Sequence, residues 1–296
     1  MAKVRVFEVG YCTHIGCMAL RGAGFRVCKF PARAYLLEVG NRRWLWDTGY
    51  ARYFQQQTQS GIFRLYRHMT PVYFDPAESL AQQLRAAGYA ADDIQGLIVS
   101  HFHADHIAGL RDFSQLEFIC SGEGWQQTRL LRGFAALKRA FIPGLIPDDF
   151  ESGLHFIEGF PQVSLPALLA PFERGYVLPG SKGQILLVPL PGHAAGHIGA
   201  FILTESGWTL LASDAAWSPL SYQQLRGPSV LANLVMDDPK GYYRTLERLN
   251  QLWAGGNVNI LLCHEGIYDP VNDAVALFPR PALNVCRSRG TGGAPG

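Results

Sequence analysis

Ser100-His101-Phe102-His103-Ala104-Asp105-His106 puts four metal-binding side chains within six residues, and it decides how the rest of the chain is read. It follows Leu97-Ile98-Val99, a short apolar run suited to a fully buried strand. In extended backbone, residues two apart point the same way. His101 and His103 can therefore converge on one ion. If the chain then turns into a helix, Asp105 and His106 face a second ion beside the first. Imidazole and carboxylate ligands suit zinc, and also iron, manganese or cobalt.

Four ligands do not complete two ions, and the sequence offers three more. His193 lies in Leu190-Pro191-Gly192-His193, just past an apolar strand at 185 to 188. Asp214 follows a strand at 209 to 212, and His264 follows one at 259 to 262. Each sits where a strand opens into a loop, where rigid scaffolds carry their chemistry. A lone histidine is more often a satisfied polar residue than a ligand. Here six of the nine histidines fall in the cluster or at strand ends, which scattered polar residues would not produce.

Outward from these motifs the N-terminal half reads as strands and turns. Residues 4 to 9 alternate as a half-buried strand does, 34 to 39 form a second strand turned by Gly40-Asn41, and 44 to 46 run into Asp47-Thr48-Gly49. Pro76 to Ala87 reads as a helix with Leu80 and Leu84 on one face and Gly88 near its stop. Residues 121 to 142 carry Leu130, Leu131, Phe134, Leu137 and Phe141 at helical spacing. Further strands are expected at 185 to 188, 200 to 203 and 209 to 212. A helix is expected from Tyr242 to Trp253 with Leu246, Leu249 and Leu252 inward. Two groups of strands, each followed by helices, fit two sheets packed face to face; on pattern alone they equally fit one α/β sheet.

The chain has 296 residues, 48% of them hydrophobic, enough for a substantial core. Its formal net charge of +2 gives no nucleic-acid footprint. The loose basic group Arg129, Arg132, Lys138 and Arg139 reads as a solvated helix face. Among six cysteines (Cys12, Cys17, Cys28, Cys120, Cys263 and Cys286) there is no CxxC pair. The start, MAKVRVFEVG, lacks the apolar core of a signal peptide, and no apolar run approaches the length of a membrane helix. The expectation is a cytoplasmic protein with free thiols and no membrane or nucleic-acid partner. Residues 1–286 read as one domain, and the tail Arg287 to Gly296 as disordered.

The HxHxDH run, the Gly-His after one strand, the Ser-Asp after another and the final strand-end histidine resemble the metallo-β-lactamase superfamily. Trp46-Asp47-Thr48-Gly49 is similar to its early Asp-Thr-Gly motif. The resemblance covers about residues 4 to 268. It implies an α+β fold, an αββα sandwich of two mixed sheets with helices on the outer faces, and a dinuclear site between the sheets. On that pattern His101, His103 and His193 hold the first metal, Asp105, His106 and His264 the second, and Asp214 bridges them. Asp47 supports the histidine loop without ligating, and His197 is structural. Two divalent ions, zinc first with iron or manganese as alternatives, would bring a bridging water to a pKa of about 7. Asp105 would hold the hydroxide and protonate the leaving group.

Within the superfamily the chain most resembles the N-acyl-homoserine lactonase branch, through its size, its N-terminal strands, the helical insertion after the histidines and Asp237-Asp238-Pro239 before the last ligand strand. The implied substrate is a small ester or lactone with an apolar substituent, acted on by a monomer or homodimer. That branch carries a tyrosine shortly after the bridging aspartate; here the sequence is Asp214-Ala215-Ala216-Trp217, with Tyr222 further on. Ala104 also replaces a bulkier apolar residue. The competing readings are a thioesterase of the type II glyoxalase kind, suggested by His264-Glu265, a phosphodiesterase, and a metal-binding regulator without turnover. Phe54, Phe63, Tyr66, Tyr73 and Phe74, with Trp125, Phe134 and Phe141, wall an apolar pocket, serve as ordinary core or form a dimer contact.

Overall fold

The computed structural model describes residues 1–230, 232–234 and 236–264. Cys286, Glu265 and the tail Arg287 to Gly296 lie outside the described residues.

The first sheet has seven strands: β1 (Lys3–Ile15), β2 (Val27–Val39), β3 (Arg42–Trp46), β4 (Val72–Tyr73), β5 (Gly96–Ile98), β6 (Glu117–Cys120) and β7 (Leu154–Phe156). Their order is β4-β1-β2-β3-β5-β6-β7, antiparallel up to β3 and parallel from β3 onward. The second sheet has six: β8 (Gln162–Ser164), β9 (Arg174–Val177), β10 (Ile185–Pro189), β11 (Ile198–Thr204), β12 (Gly207–Ser213) and β13 (Val258–Leu262). It is antiparallel except for the parallel β12–β13 pair.

The strands are apolar on both faces because both faces are covered. Successive side chains alternate across a strand. Tyr35, Leu37, Trp44 and Trp46 of the first sheet meet Ile185, Leu187, Ala200 and Ile202 of the second in a core between the sheets. The intervening Leu36 and Leu45 turn outward, with Leu97 and Phe118, onto Phe54, Leu80, Leu84 and Ile107. On the opposite face Leu186, Val188, Phe201 and Leu210 pack against Tyr242, Leu246, Leu249 and Leu252 of the helix Pro239–Ala254. This is the αββα sandwich, and it settles the choice that the pattern alone left open.

Some elements differ from expectation. The helix read over 121 to 142 is two, Gly122–Thr128 and Gly133–Lys138. Gly133 takes φ +54, a left-handed conformation that breaks the helix between them. Phe134 and Leu130 are exposed, whereas Trp125 and Phe141 are buried core. The helix from Pro76 begins as a 3-10 turn, Pro76–Glu78, before Leu80–Ala86. No helix of the described residues is long and apolar enough to cross a membrane.

Candidate metal centre

Five strand ends deliver the site. β3 leads into Asp47, β5 into the histidine run, β10 into His193, β12 into Asp214 and β13 into His264. The two sheets are tied beside it: Trp46 Nε1 donates to Ser213 Oγ at 3.0 Å, and Ile198 N donates to Ser100 O at 3.0 Å. After His103 the chain forms the short helix Ala104–Ile107, which carries Asp105 and His106 and leaves the His106 ring 4.0 Å from that of His101. Gly192 is required next to His193. At φ +127, a Cβ there would stand 2.0 Å from the Tyr242 backbone nitrogen.

The seven side chains singled out in the sequence come together as two adjoining groups. Donor atoms of His101, His103 and His193 lie within 4.8 Å of one another. His193 Nε2 is 2.9 Å from His103 Nδ1, and the His101 ring stands edge-on to both. The second group holds His106, Asp214 and His264, again within 4.8 Å. Asp214 Oδ2 is 3.1 Å from His264 Nε2 and 3.3 Å from His193 Nε2, so its carboxylate touches both groups. Asp105 Oδ2 is 3.3 Å from His264 Nε2 and 3.7 Å from His106 Nε2.

This donor set fits metal ions. His101 Nε2, His106 Nε2 and Asp214 Oδ1 are buried with no hydrogen-bond partner. Buried polar atoms are rarely left so without a reason. Burial and mutual repulsion hold His101 and His193 well below the usual histidine range and bring His103 down to about 4, so these rings present neutral lone pairs. Burial also opposes charge on His106 and His264, but the surrounding carboxylates overcome it and hold both well up. Burial would raise Asp105, yet His106 and His264 bring it down to about 2.

Around the donors stands a supporting shell. Asp47 Oδ1 accepts from Ser100 N at 2.8 Å, and Oδ2 accepts from Ser100 Oγ at 2.7 Å and lies 2.8 Å from His106 Nδ1. It thereby orients His106, turning Nε2 toward the site. Thr48 accepts from Gly109 N and donates to His106 O, which locks the same turn. His264 Nδ1 is fixed by Pro31 O at 2.8 Å. His197 bonds Leu190 O through Nδ1 and accepts from Asp214 N through Nε2, a structural placement. Outer partners of this kind hold ligands in register, and losing one costs about 10–100-fold in metal affinity. Asp47→Ala is expected to lose affinity within that range, read by competition with a chromophoric chelator. Unchanged affinity would remove Asp47 from the supporting shell.

Three neighbours were not legible as such in the sequence. Cys263 joins the second donor group, its thiol held between Arg33 N and Arg33 O. Trp217 does not offer its N–H to the open cleft: it donates to Asp214 Oδ2 at 3.0 Å, with its ring edge-on to His193. Arg139, read with its neighbours as a solvated helix face, instead pairs with Asp237 and lines a cavity with Phe102, His103, Leu131 and His193. Tyr222 is buried in the core under the second sheet.

Comparison with known proteins gives consistent results. A family model described as the metallo-beta-lactamase superfamily matches residues 29–255. A protein of Mycobacterium tuberculosis named "Probable metallo-hydrolase" is 26% identical over 68% of this chain, and the match spans 61% of that protein's length. The N-acyl homoserine lactonase AiiB of Agrobacterium fabrum is 26% identical over 81% of both chains. Among solved structures, an N-acyl homoserine lactone hydrolase with N-hexanoyl-L-homoserine bound at its catalytic metal center matches with a TM-score of 0.68 at 21% identity, over 89% of this chain and 93% of that one. The dizinc quorum-quenching lactonase AidC matches with a TM-score of 0.61 at 15% identity, over 89% and 87%.

Proposed function

The chain belongs to the metallo-beta-lactamase superfamily of metallo-hydrolases, and from that premise we propose that it is a dinuclear lactonase. His101, His103 and His193 hold one ion, Asp105, His106 and His264 the other, and Asp214 bridges them. Zinc is the proposed metal and a lactone with an apolar substituent the proposed substrate. We further take residues 1–286 as one catalytic unit, working in the cytoplasm as a monomer or homodimer. The observation that carries the reading is the convergence of six of these side chains into two donor groups, with Asp105 beside His264 and His106, and with buried ring and carboxylate atoms unpartnered. The likeness to AiiB over most of both chains supports the lactone.

Two ions bound there would supply hydroxide at neutral pH and polarise the acyl oxygen. The chain's own residues do the rest. Asp214, held by Trp217, keeps one geometry between the two groups. Asp105 Oδ2 faces His264 and His106, which leaves its second oxygen to take a proton from the nucleophile and return it to the leaving oxygen. Phe30, edge-on to His264, contributes an apolar wall.

A phosphodiester is the second reading, because Arg139 stands beside His103 and His193. Asp237 neutralises that cation, which favours the uncharged substrate. The test is kcat/KM on a long-chain acyl lactone beside a model phosphodiester, with zinc, manganese and iron each supplied. Preference for the lactone is expected. Preference for the phosphodiester under every metal would overturn the lactonase reading and leave the metallo-hydrolase in place.

A further inference from the structure

We propose that the Cys263 thiol is a further ligand of the second ion, bound as thiolate beside Asp214, and that this sulfur sets the metal preference of the site. The assignment deepens the two-ion reading above and rests on it. Donor atoms of His106, Asp214, Cys263 and His264 all lie within 4.8 Å of one another. Zinc holds sulfur at about 2.3 Å and nitrogen at about 2.0–2.1 Å, so two such donors on one tetrahedral ion stand about 3.6 Å apart. The four donors therefore need to close by only about 1 Å.

Both sheets place the sulfur. Cys263 N donates to Ser213 O at 3.1 Å, where the β12–β13 register shifts between Leu211 and Ser213. Cys263 is thereby fixed beside the residue that precedes Asp214. From the other sheet, Arg33 N in β2 donates to Cys263 Sγ at 3.4 Å. An N–H aimed at sulfur suits a thiolate, which can only accept. The thiol's own donation, to Arg33 O, is long at 3.7 Å, and it is the contact that metal binding replaces.

The surroundings are those of a ligand. Cys12 and Cys120 are buried in an apolar core, where cysteine behaves as a small hydrophobe. Cys263 is also buried, but it belongs to none of the three apolar cores among the described residues. It stands instead with two histidines and a carboxylate. In that group His106 Nε2 and Asp214 Oδ1 are buried without a hydrogen-bond partner. On binding, Cys263 gives its proton to solvent and its sulfur bonds the ion. A thiolate is a soft donor that favours zinc over manganese, which carboxylate and water suit better. The first group has three imidazoles and no sulfur, so the preference for zinc resides in the second.

Cobalt(II) exchanged into the protein reports sulfur ligation through an intense near-ultraviolet thiolate-to-cobalt band, with no turnover needed. Two equivalents should bind, and the band should saturate with one of them. Cys263→Ser, whose hydroxyl can still accept from Arg33 N, should bind cobalt without the band, and Cys12→Ser should keep it. Cys263→Ser should also lose zinc affinity relative to manganese by at least about tenfold, the least that loss of an outer partner costs. A wild type that binds cobalt with no band, a band that survives in Cys263→Ser, or an unchanged ratio of zinc to manganese affinity overturns the assignment. If Cys263→Ser does not fold, zinc-edge X-ray absorption of the wild type decides. Sulfur scattering at about 2.3 Å, kept in Cys12→Ser, is expected. A shell of nitrogen and oxygen alone overturns the assignment. A protein that holds a single ion defeats the two-ion reading separately; the band, lost in Cys263→Ser, then upholds the sulfur ligand, and its absence overturns it.

Discussion

Asp214→Ala is expected to strip metal from the protein and to lower turnover by more than the roughly hundredfold that loss of an outer-shell partner costs. Asp214 is the side chain through which the two donor groups meet: Oδ2 lies within 3.3 Å of both His193 and His264, and Oδ1 is 3.4 Å from His106. On the proposed assignment, removing it withdraws a ligand from both ions and the carboxylate that stands between His193 and His264. It also leaves the Trp217 N–H without its acceptor. Metal content after gel filtration, with circular dichroism as a folding control, reads the outcome. A folded Asp214→Ala protein that keeps both ions and its turnover would remove Asp214 from the bridge.

Asp105→Asn is expected to lower turnover by at least about a hundredfold, the lower end of general acid–base contributions. The amide keeps the shape of the side chain and one oxygen for His264, but it cannot carry the proton from nucleophile to leaving group. The loss should fall on kcat and be smaller on a substrate whose leaving group needs no proton, such as a nitrophenyl ester. Equal losses on both substrates would point to metal binding alone, and an almost fully active variant with both metals bound would take Asp105 out of the chemistry.

The site was legible in the sequence where its residues are neighbours or end a patterned strand. His101 to His106 declare themselves by spacing, and His193, Asp214 and His264 by following short apolar runs that read as strands. Strands were legible from runs such as Trp44-Leu45-Trp46 and 185 to 188, whose residues divide between two cores, but the pattern left the sandwich open against a single α/β sheet, and only the family resemblance implied it. Short edge strands were not: β4, β7 and β8 have two or three residues, too few for any period to show. The length of β1 was hidden by Gly10, at φ +76, where the register with β2 shifts between Glu8 and Tyr11. The alternation seen over residues 4 to 9 therefore does not carry through. Cys263, Trp217 and Arg139 reach the site through contacts far apart in the chain, and a single residue of each type has no pattern to announce it.

The central claim is that these seven side chains hold two ions, and the most direct test is metal stoichiometry in an active preparation. Protein supplied with zinc, passed through gel filtration and shown to turn over should hold close to two ions per chain. It should lose activity on chelation and regain it when zinc is returned. A fully active protein holding no more than one ion per chain would contradict the account.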